Sequence, residues 1–352
     1  MATTGRTTIK ELARLSGVSV GTVSRALNGY DDVSATTRER IQQLARELDY
    51  TPAAAARTLV TSTSHVVGVF LDTGEGHPDL QHPFFHEVLV GLKSTLGQAG
   101  YDLLLFASEA PRNGLGDHSF LNRATQHNVD AAVLMGLDPH DDEVRRLARS
   151  SVPSVGVDLE LHGDRASYVI SENAGGSRLA VEHLAALGHR RIATIGGLLD
   201  TKPGLDRLRG YREGLAAAGL AYRDELVKNG DFYVDSGHQG AQELLDLPPG
   251  ERPTAIVAAS DLMAVGVLRA AAERGLRVPE DLSVVGFDDI MLAAHLHPGL
   301  TTVRQDKAGL GSAAGRAVLH ALEHDVPAGP HVTTLDVELV VRGTTAPPSA
   351  EH

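Results

Sequence analysis

The sequence predicts an all-α helix-turn-helix head followed by an α/β core built as two doubly wound, parallel-sheet subdomains. Three observations carry this. Apolar positions recur at helical spacing three times within the first fifty residues, with a glycine between the first two runs. From His65 onward, short apolar runs alternate with helical segments, the pattern of repeated βαβ units. The chain has 352 residues, and the α/β part exceeds one comfortable hydrophobic core.

In the head, Thr8-Ile9-Lys10-Glu11 reads as a capping box that opens a helix, and Gly17 closes it. Ser19 is placed to cap a second helix, running to about Leu27. Ser34 is placed to cap a third, whose stripe is Ile41, Leu44, Ala45 and Leu48. Pro52 ends this unit, so residues 1–50 form the head. The stretch AAAARTLVTSTS that follows is expected to be a linker, 51–64, helical only in some states because so short a helix is marginal in water.

In the core, strands are expected at 66–71, 103–107, 131–136, 152–157, 192–196, 255–259 and 283–287. Helices are expected at Phe84–Leu96, Ala174–Leu187, Leu205–Ala218, Asp261–Arg274 and Ala308–Leu322. The core spans 65–345, with one subdomain about 65–169 and 304–331 and the other about 170–303 and 332–345. Residues 346–352 read as a disordered tail. Polar residues gather where strands end, at Asp72, Asp158, Ser260-Asp261 and Asp288-Asp289. Ligands of open α/β sheets bind outside such carboxyl ends, so two facing subdomains would bring these groups to one cleft.

Composition narrows the function. There is no cysteine, which excludes disulfides and thiol chemistry. No apolar stretch is long enough to span a bilayer, and the opening MATTGRTTIKEL has no apolar signal segment, so a cytoplasmic protein without a membrane partner is the expectation. The net charge of −13 argues against nucleic acid until the chain is divided. Residues 1–60 hold eight basic and six acidic side chains, while the rest hold 24 and 39. A weakly positive head on an acidic body would meet DNA with one end only. The stretch VSVGTVSRALNG, 18–29, sets small hydroxyls beside one arginine on a short helix. That suits a helix lying on a phosphate backbone better than one buried in a core.

The chain resembles the LacI/GalR family of bacterial transcription regulators over nearly its whole length. The head, TIKELARLSGVSVGTVSRALNG with VSATTRERIQQLARELDYTPAAAARTL, is similar to that family's DNA-binding domain and hinge. RIATIGG, DRLRGYREGL, ASDLMAVG, VPEDLSVVGFDD and LTTVRQD are similar to its effector-binding core, which is periplasmic-binding-protein-like.

The resemblance implies a homodimeric repressor that binds a pseudopalindromic operator in double-stranded DNA and answers to a small molecule. A sugar acting as inducer is expected. Ser19, Thr22, Ser24 and Asn28 can donate to phosphates, while by resemblance Val20, Gly21 and Arg25 face the bases. Of these only Arg25 can pair with a guanine in bidentate fashion. Leu59 matches the family's minor-groove wedge.

The resemblance assigns effector contacts to Asp158, Arg207, Phe232, Ser260, Asp288 and Gln305. Asp72, Phe84 and Phe85 belong to the same set, through a loop at 71–87 longer than is usual in the family. Carboxylates, a guanidinium fork and an aromatic face suit a polyhydroxylated ligand. Read locally, Asp288 could instead cap the next helix, and Arg207 could pair with Asp206 or Glu213. Ser260 stands where the family usually has Asn, so its contact would run through water.

Four side chains of the long loop, His77, Asp79, His82 and His86, raise the question of a metal, but Pro83 puts His82 outside the helix and no metal or cofactor is expected. Gly309, Gly311 and Gly315 read as small residues along a helix, not a phosphate loop. With no Walker motif, no G-x-S-x-G elbow and no paired carboxylates beside a base, an enzyme is not expected. Two alternatives are a nucleobase-like corepressor in the same cleft and a solute-binding module without DNA function.

Overall fold

A computed structural model describes residues 7–27, 30–50, 63–71, 80, 82–107, 119–324 and 331–349. The chain divides into two compact units, Met1–Ser64 and His65–His352.

The first unit holds α1 (Ile9–Ser16), α2 (Val20–Leu27) and α3 (Ala35–Glu47). Thr8 caps α1 by accepting from the Glu11 amide, and Gly17 ends it in the left-handed region at φ 69°. Ser19 accepts from Thr22 N at 3.1 Å, and Ser34 caps α3. Leu12, Val23, Ala26 and Ile41 are fully buried and form the centre of this small core. The expected linker lies largely outside the described residues.

The second unit is built on two six-stranded sheets. The first contains β1 (Val66–Leu71), β2 (Asp102–Phe106), β3 (Ala131–Met135), β4 (Ser154–Val157) and β5 (Ala166–Ser171). The second contains β6 (Ile192–Gly196), β7 (Val227–Asn229), β8 (Ala255–Ala258), β9 (Ser283–Asp288) and β10 (Thr301–Gln305). The last two strands, β11 (His331–Leu335) and β12 (Val337–Val340), give one edge to each sheet. The strand orders are β11-β5-β4-β3-β1-β2 and β12-β10-β9-β8-β6-β7, all parallel except the β10–β12 pair. The central strands β3, β4, β8 and β9 are buried throughout, as parallel strands covered on both faces must be.

Between the strands run α4 (Pro83–Gln98), α5 (Phe120–Gln126), α6 (Asp142–Ala148), α7 (Asn173–Ala186), α8 (Lys202–Ala217), α9 (Val234–Leu245), α10 (Asp261–Glu273), α11 (Met291–His295) and α12 (Lys307–Glu323). Helices α4 and α12 pack backbone to backbone. A Cβ on Gly91 would overlap the Ala308 carbonyl, and one on Gly311 the Val88 carbonyl. Gly311 and Gly315 of α12 therefore serve helix packing, while Gly309 leaves room for the capping carboxylate of Asp306.

The chain crosses between sheets three times, after β5, after β10 and between β11 and β12. The expected change at 331/332 is corrected: β11 pairs in register with β5, so 332–335 belong to the first subdomain. The expectation of a disordered tail from 346 is also corrected. Thr344 is fully buried, and the Ala346 carbonyl accepts from His189 Nε2 at 2.9 Å and from Ser283 Oγ at 3.1 Å.

Candidate functional site

In the head, one face of α2 is free. Val23 and Ala26 point into the helical core, which leaves Ser19, Val20, Gly21 and Arg25 exposed, with Thr22 and Ser24 partly so. The cap aligns Ser19 and Thr22, whose hydroxyls lie 2.9 Å apart. Arg25 reaches Asp32 at 3.3 Å. Asn28 and Leu59 lie outside the described residues, as does Asp72 in the core.

In the second unit, a cavity of about 500 Å³ opens between the two sheets at their carboxyl ends, within the usual range for a small-molecule site. Of the expected effector residues, Phe84, Phe85, Asp158, Arg207, Phe232 and Asp288 line it. Arg207, near the start of α8, is buried at its centre. Its Nε donates to Asn173 Oδ1 at 2.7 Å, one terminal nitrogen donates to the Ala259 carbonyl, and that nitrogen lies 3.7 Å from Asp288 Oδ1. The guanidinium also stacks over Phe287 at 3.8 Å and faces Phe232 at 5.6 Å. Burial lowers its pKa, and Asp288 and Asp158 oppose that shift. Arg207 makes no hydrogen bond to Asp206, which binds Lys202 and Arg209 instead. A helix-surface pairing is thus not what holds it.

Two carboxylate oxygens are left for a ligand. Asp158 Oδ1 and Asp288 Oδ2 are both covered from solvent and have no hydrogen-bond partner. Burial pushes the Asp158 carboxyl up to about 6, against the pull of Arg207. Asp288 does not cap α11, whose N-cap is Ile290. The backbone is strained here: Asp158, Phe232, Asp288 and Asp289 all have positive φ, at 52°, 73°, 115° and 51°. Strain of this kind persists where surrounding contacts over-determine it, often at ligand sites.

Those contacts are specific. Gln305 Nε2 donates to Asp288 Oδ1 at 2.7 Å, and Lys307 Nζ donates to the carbonyls of Asp288 and Asp289 at 2.5 and 3.1 Å. The Asp289 carboxylate binds Arg304 and Arg342, each at 2.6 Å; burial alone would raise its pKa, but these bonds hold it low. Asp261 takes the amide of Ile290 at 2.8 Å and the hydroxyl of Thr302 at 2.5 Å.

Gln305 and Ser260 do not line the cavity. Gln305 acts through Asp288. The Ser260 hydroxyl donates to the Phe232 carbonyl at 2.7 Å and caps α10 by accepting from Met263 N, so it supports the turn that carries Phe232.

Sequence reasoning missed several neighbours. Asn173 orients Arg207. Buried His82 caps α4 by accepting from Phe84 N at 3.3 Å and meets the Tyr233 ring edge-on at 5.5 Å. Burial lowers its pKa. Pro83 at the first helical position marks such a cap and was the available signal. His86 is exposed while His82 is buried, so the two do not converge, and no group of three metal-ligating side chains is found among the described residues. Leu198, Leu199 and Leu205 give the mouth of the cavity an apolar wall that is 38–51% exposed.

Comparison with known proteins places these features. Residues 8–53 match the model for bacterial regulatory proteins of the lacI family, and residues 181–345 match a periplasmic binding protein-like domain. The chain is 38% identical over 340 residues to the HTH-type transcriptional regulator CelR of Thermobifida fusca, covering 96% of this chain and 98% of that one. It is 34% identical over 320 residues to the ribose operon repressor of Escherichia coli K12, covering 90% and 93%. Its fold matches a structure described as a CelR–cellobiose complex at a TM-score of 0.72, with 34% identity and 96% and 100% of the two chains covered. It matches a lac repressor dimer bound to operator and an anti-inducer at 0.80, with 30% identity over 97% and 100%. A three-helix head with a free reading face, a two-sheet core with a buried polar cleft, and this similarity along nearly the full length lead to one conclusion: the chain belongs to the LacI family of bacterial regulatory proteins.

Proposed function

We propose that the protein is a cytoplasmic transcriptional repressor, without enzymatic activity, that binds a pseudopalindromic operator as a homodimer and is released from it by a sugar. The observation that carries the effector reading is the pair of unpartnered, covered carboxylate oxygens, Asp158 Oδ1 and Asp288 Oδ2, set around a buried Arg207. Acceptors on both sides of a cavity, with a guanidinium donor between them and aromatic walls at Phe84, Phe85 and Phe232, suit a ligand with hydroxyl edges and apolar ring faces. The apolar mouth at Leu198, Leu199 and Leu205 leaves room beyond the polar centre for a second ring. The cellobiose in the related CelR structure supports a disaccharide as the first candidate.

The effector acts by population shift. Asp158 follows a strand of the first sheet, while Arg207 and Asp288 belong to the second subdomain. A ligand that bonds both groups binds the closed cleft more tightly than the open one. It moves the equilibrium only by that difference in affinity. In the head, Arg25 reads the base sequence, Ser19, Thr22, Ser24 and Asn28 hold phosphates, and Leu59 wedges the centre of the operator.

A thermal-shift screen of mono- and disaccharides, sugar phosphates and nucleobases tests the effector. A rise in melting midpoint with a disaccharide, paired with loss of operator binding in a mobility-shift assay, is the expected result. A response to nucleobases alone would reject the sugar.

A further inference from the structure

Asp32 stands on the turn between α2 and α3, beside Arg25 of the reading face. We propose that Asp32 is a specificity-determining residue that holds Arg25 away from phosphates, so that only a guanine edge draws it into contact. The inference rests on the reading of the head as a DNA-binding domain.

Asp32 Oδ2 lies 3.3 Å from a terminal nitrogen of Arg25, with both side chains about half exposed. The placement is set by the fold. Tyr30 N donates to the Arg25 carbonyl at 3.1 Å, which ties Tyr30 to the last turn of α2. Arg38, reaching from α3, donates to the carbonyls of Tyr30 at 2.6 Å and Val33 at 3.4 Å. Val33 is buried and Ser34 caps α3. The acidic turn is thereby pinned beside the last turn of the reading helix.

An exposed ion pair adds little to folding, so stability does not explain a carboxylate here. Its effect falls on binding. When Arg25 approaches a base edge, Asp32 comes within a few ångströms of the groove, inside the roughly 10 Å over which charges act at 0.1 M salt. On random sequence, Arg25 finds no matching guanine and would default to a phosphate. Asp32 neutralises it and repels that phosphate, which weakens the non-specific complex. On a matched site, the guanine takes two donors of the guanidinium, and Asp32 can keep a third and fix the plane of the fork. The carboxylate therefore costs more on the wrong DNA than on the right DNA.

The neighbouring Asp31 is the internal control. It lies on the same turn, is fully exposed, and sits 3.8 Å from Arg38. Removing its charge changes the field without releasing the reader.

The test uses the full-length protein and two duplexes: one enriched by the wild type from a randomised pool, and one of scrambled sequence. Asp32→Asn should bind the scrambled duplex about fivefold to tenfold more tightly, with a salt dependence steeper by about one released counterion, and the enriched duplex less than about twofold more tightly. Asp32→Glu, which keeps the pair, should hold the wild-type ratio. Asp31→Asn should tighten both duplexes by one common factor. Circular dichroism checks that each head is folded. Equal tightening of both duplexes by Asp32→Asn would overturn the proposal and reduce Asp32 to bulk charge. So would a lowered ratio in Asp32→Glu that matches Asp32→Asn. If the wild type enriches no sequence from the pool, the regulatory reading itself fails and this proposal falls with it.

Discussion

Asp158→Asn should make the effector-free protein more stable at neutral pH while damaging its cleft. The carboxyl is held at about 6 in the folded chain, chiefly by burial, against an ordinary value of 3.8. The native state therefore binds this proton more tightly than the unfolded state does. Its stabilising contribution is greatest in acid and is lost as pH rises from about 4 to about 6. Above pH 7 the ionised carboxylate costs the native state its full amount. A rise of roughly two in pKa, at about 1.4 kcal/mol each, gives about 3 kcal/mol. Asp158 keeps some exposure as a residue although its Oδ1 is covered, so about 2–3 kcal/mol is the working figure. Asparagine keeps the shape and removes the charge. Urea unfolding of both proteins at pH 4.5, 6 and 7.5 is the assay. The variant's midpoint should exceed that of the wild type at pH 7.5, by nearly as much at pH 6, and by only about a third as much at pH 4.5. Parallel pH profiles for the two proteins would refute the argument. Calorimetry on the same variant should show weakened effector binding, because one acceptor is gone. A residue that destabilises the empty protein and binds its ligand is the trade expected of a working site.

Three further outcomes follow from named contacts. Arg25→Ala should cost about 1–3 kcal/mol on the enriched duplex and flatten preference at one G·C pair per half-site, read by competition binding; equal loss on random DNA would show that Arg25 touches only phosphate. Asp288→Asn should weaken effector binding by about 2–4 kcal/mol in calorimetry, because the partners built around its charge lose their match, while DNA binding without effector survives. A dissociation constant within about threefold of wild type would remove Asp288 from the site. Lys307→Met should destabilise the second unit by about 1–3 kcal/mol, since two carbonyls at a strained turn lose their donor; an unchanged urea midpoint would show that the turn holds without it.

The parts of this fold that the sequence made legible are those where one local signal dominates. The caps at Thr8, Ser19 and Ser34 and the stop at Gly17 were readable because small hydroxyls and glycine do one job at helix ends. Strands β1 and β6 were read to the residue because, apart from Thr194, they are made of apolar residues and glycine. Strands β5, β10 and β11 were not, because Ser, Thr, Tyr, Arg and His interrupt them. Strand β11 is an exposed edge that needs no apolar face.

The cleft divides in the same way. Arg207, Asp158 and Asp288 were reached through family motifs and strand ends. Their supports Asn173 and Lys307 were not, because they owe their roles to contacts across long sequence distances, and Gln305 was reached as a ligand contact where the structure has it holding Asp288. Ser260 shows the limit of carrying a position over by motif. Its position is held, but its shorter side chain turns to the backbone.

One coupling is central to the proposed function: a ligand in the cleft must change DNA binding by the head. Fluorescence anisotropy of the labelled, wild-type-enriched duplex, titrated with cellobiose and with the best ligand of the thermal-shift screen, measures it directly. Wild-type protein should release the duplex as the sugar fills the cleft, and Arg207→Met should bind the duplex as tightly as wild type but stay bound at every sugar concentration. Duplex affinity that no cleft ligand changes, or release of Arg207→Met at the same concentrations as wild type, would contradict the account.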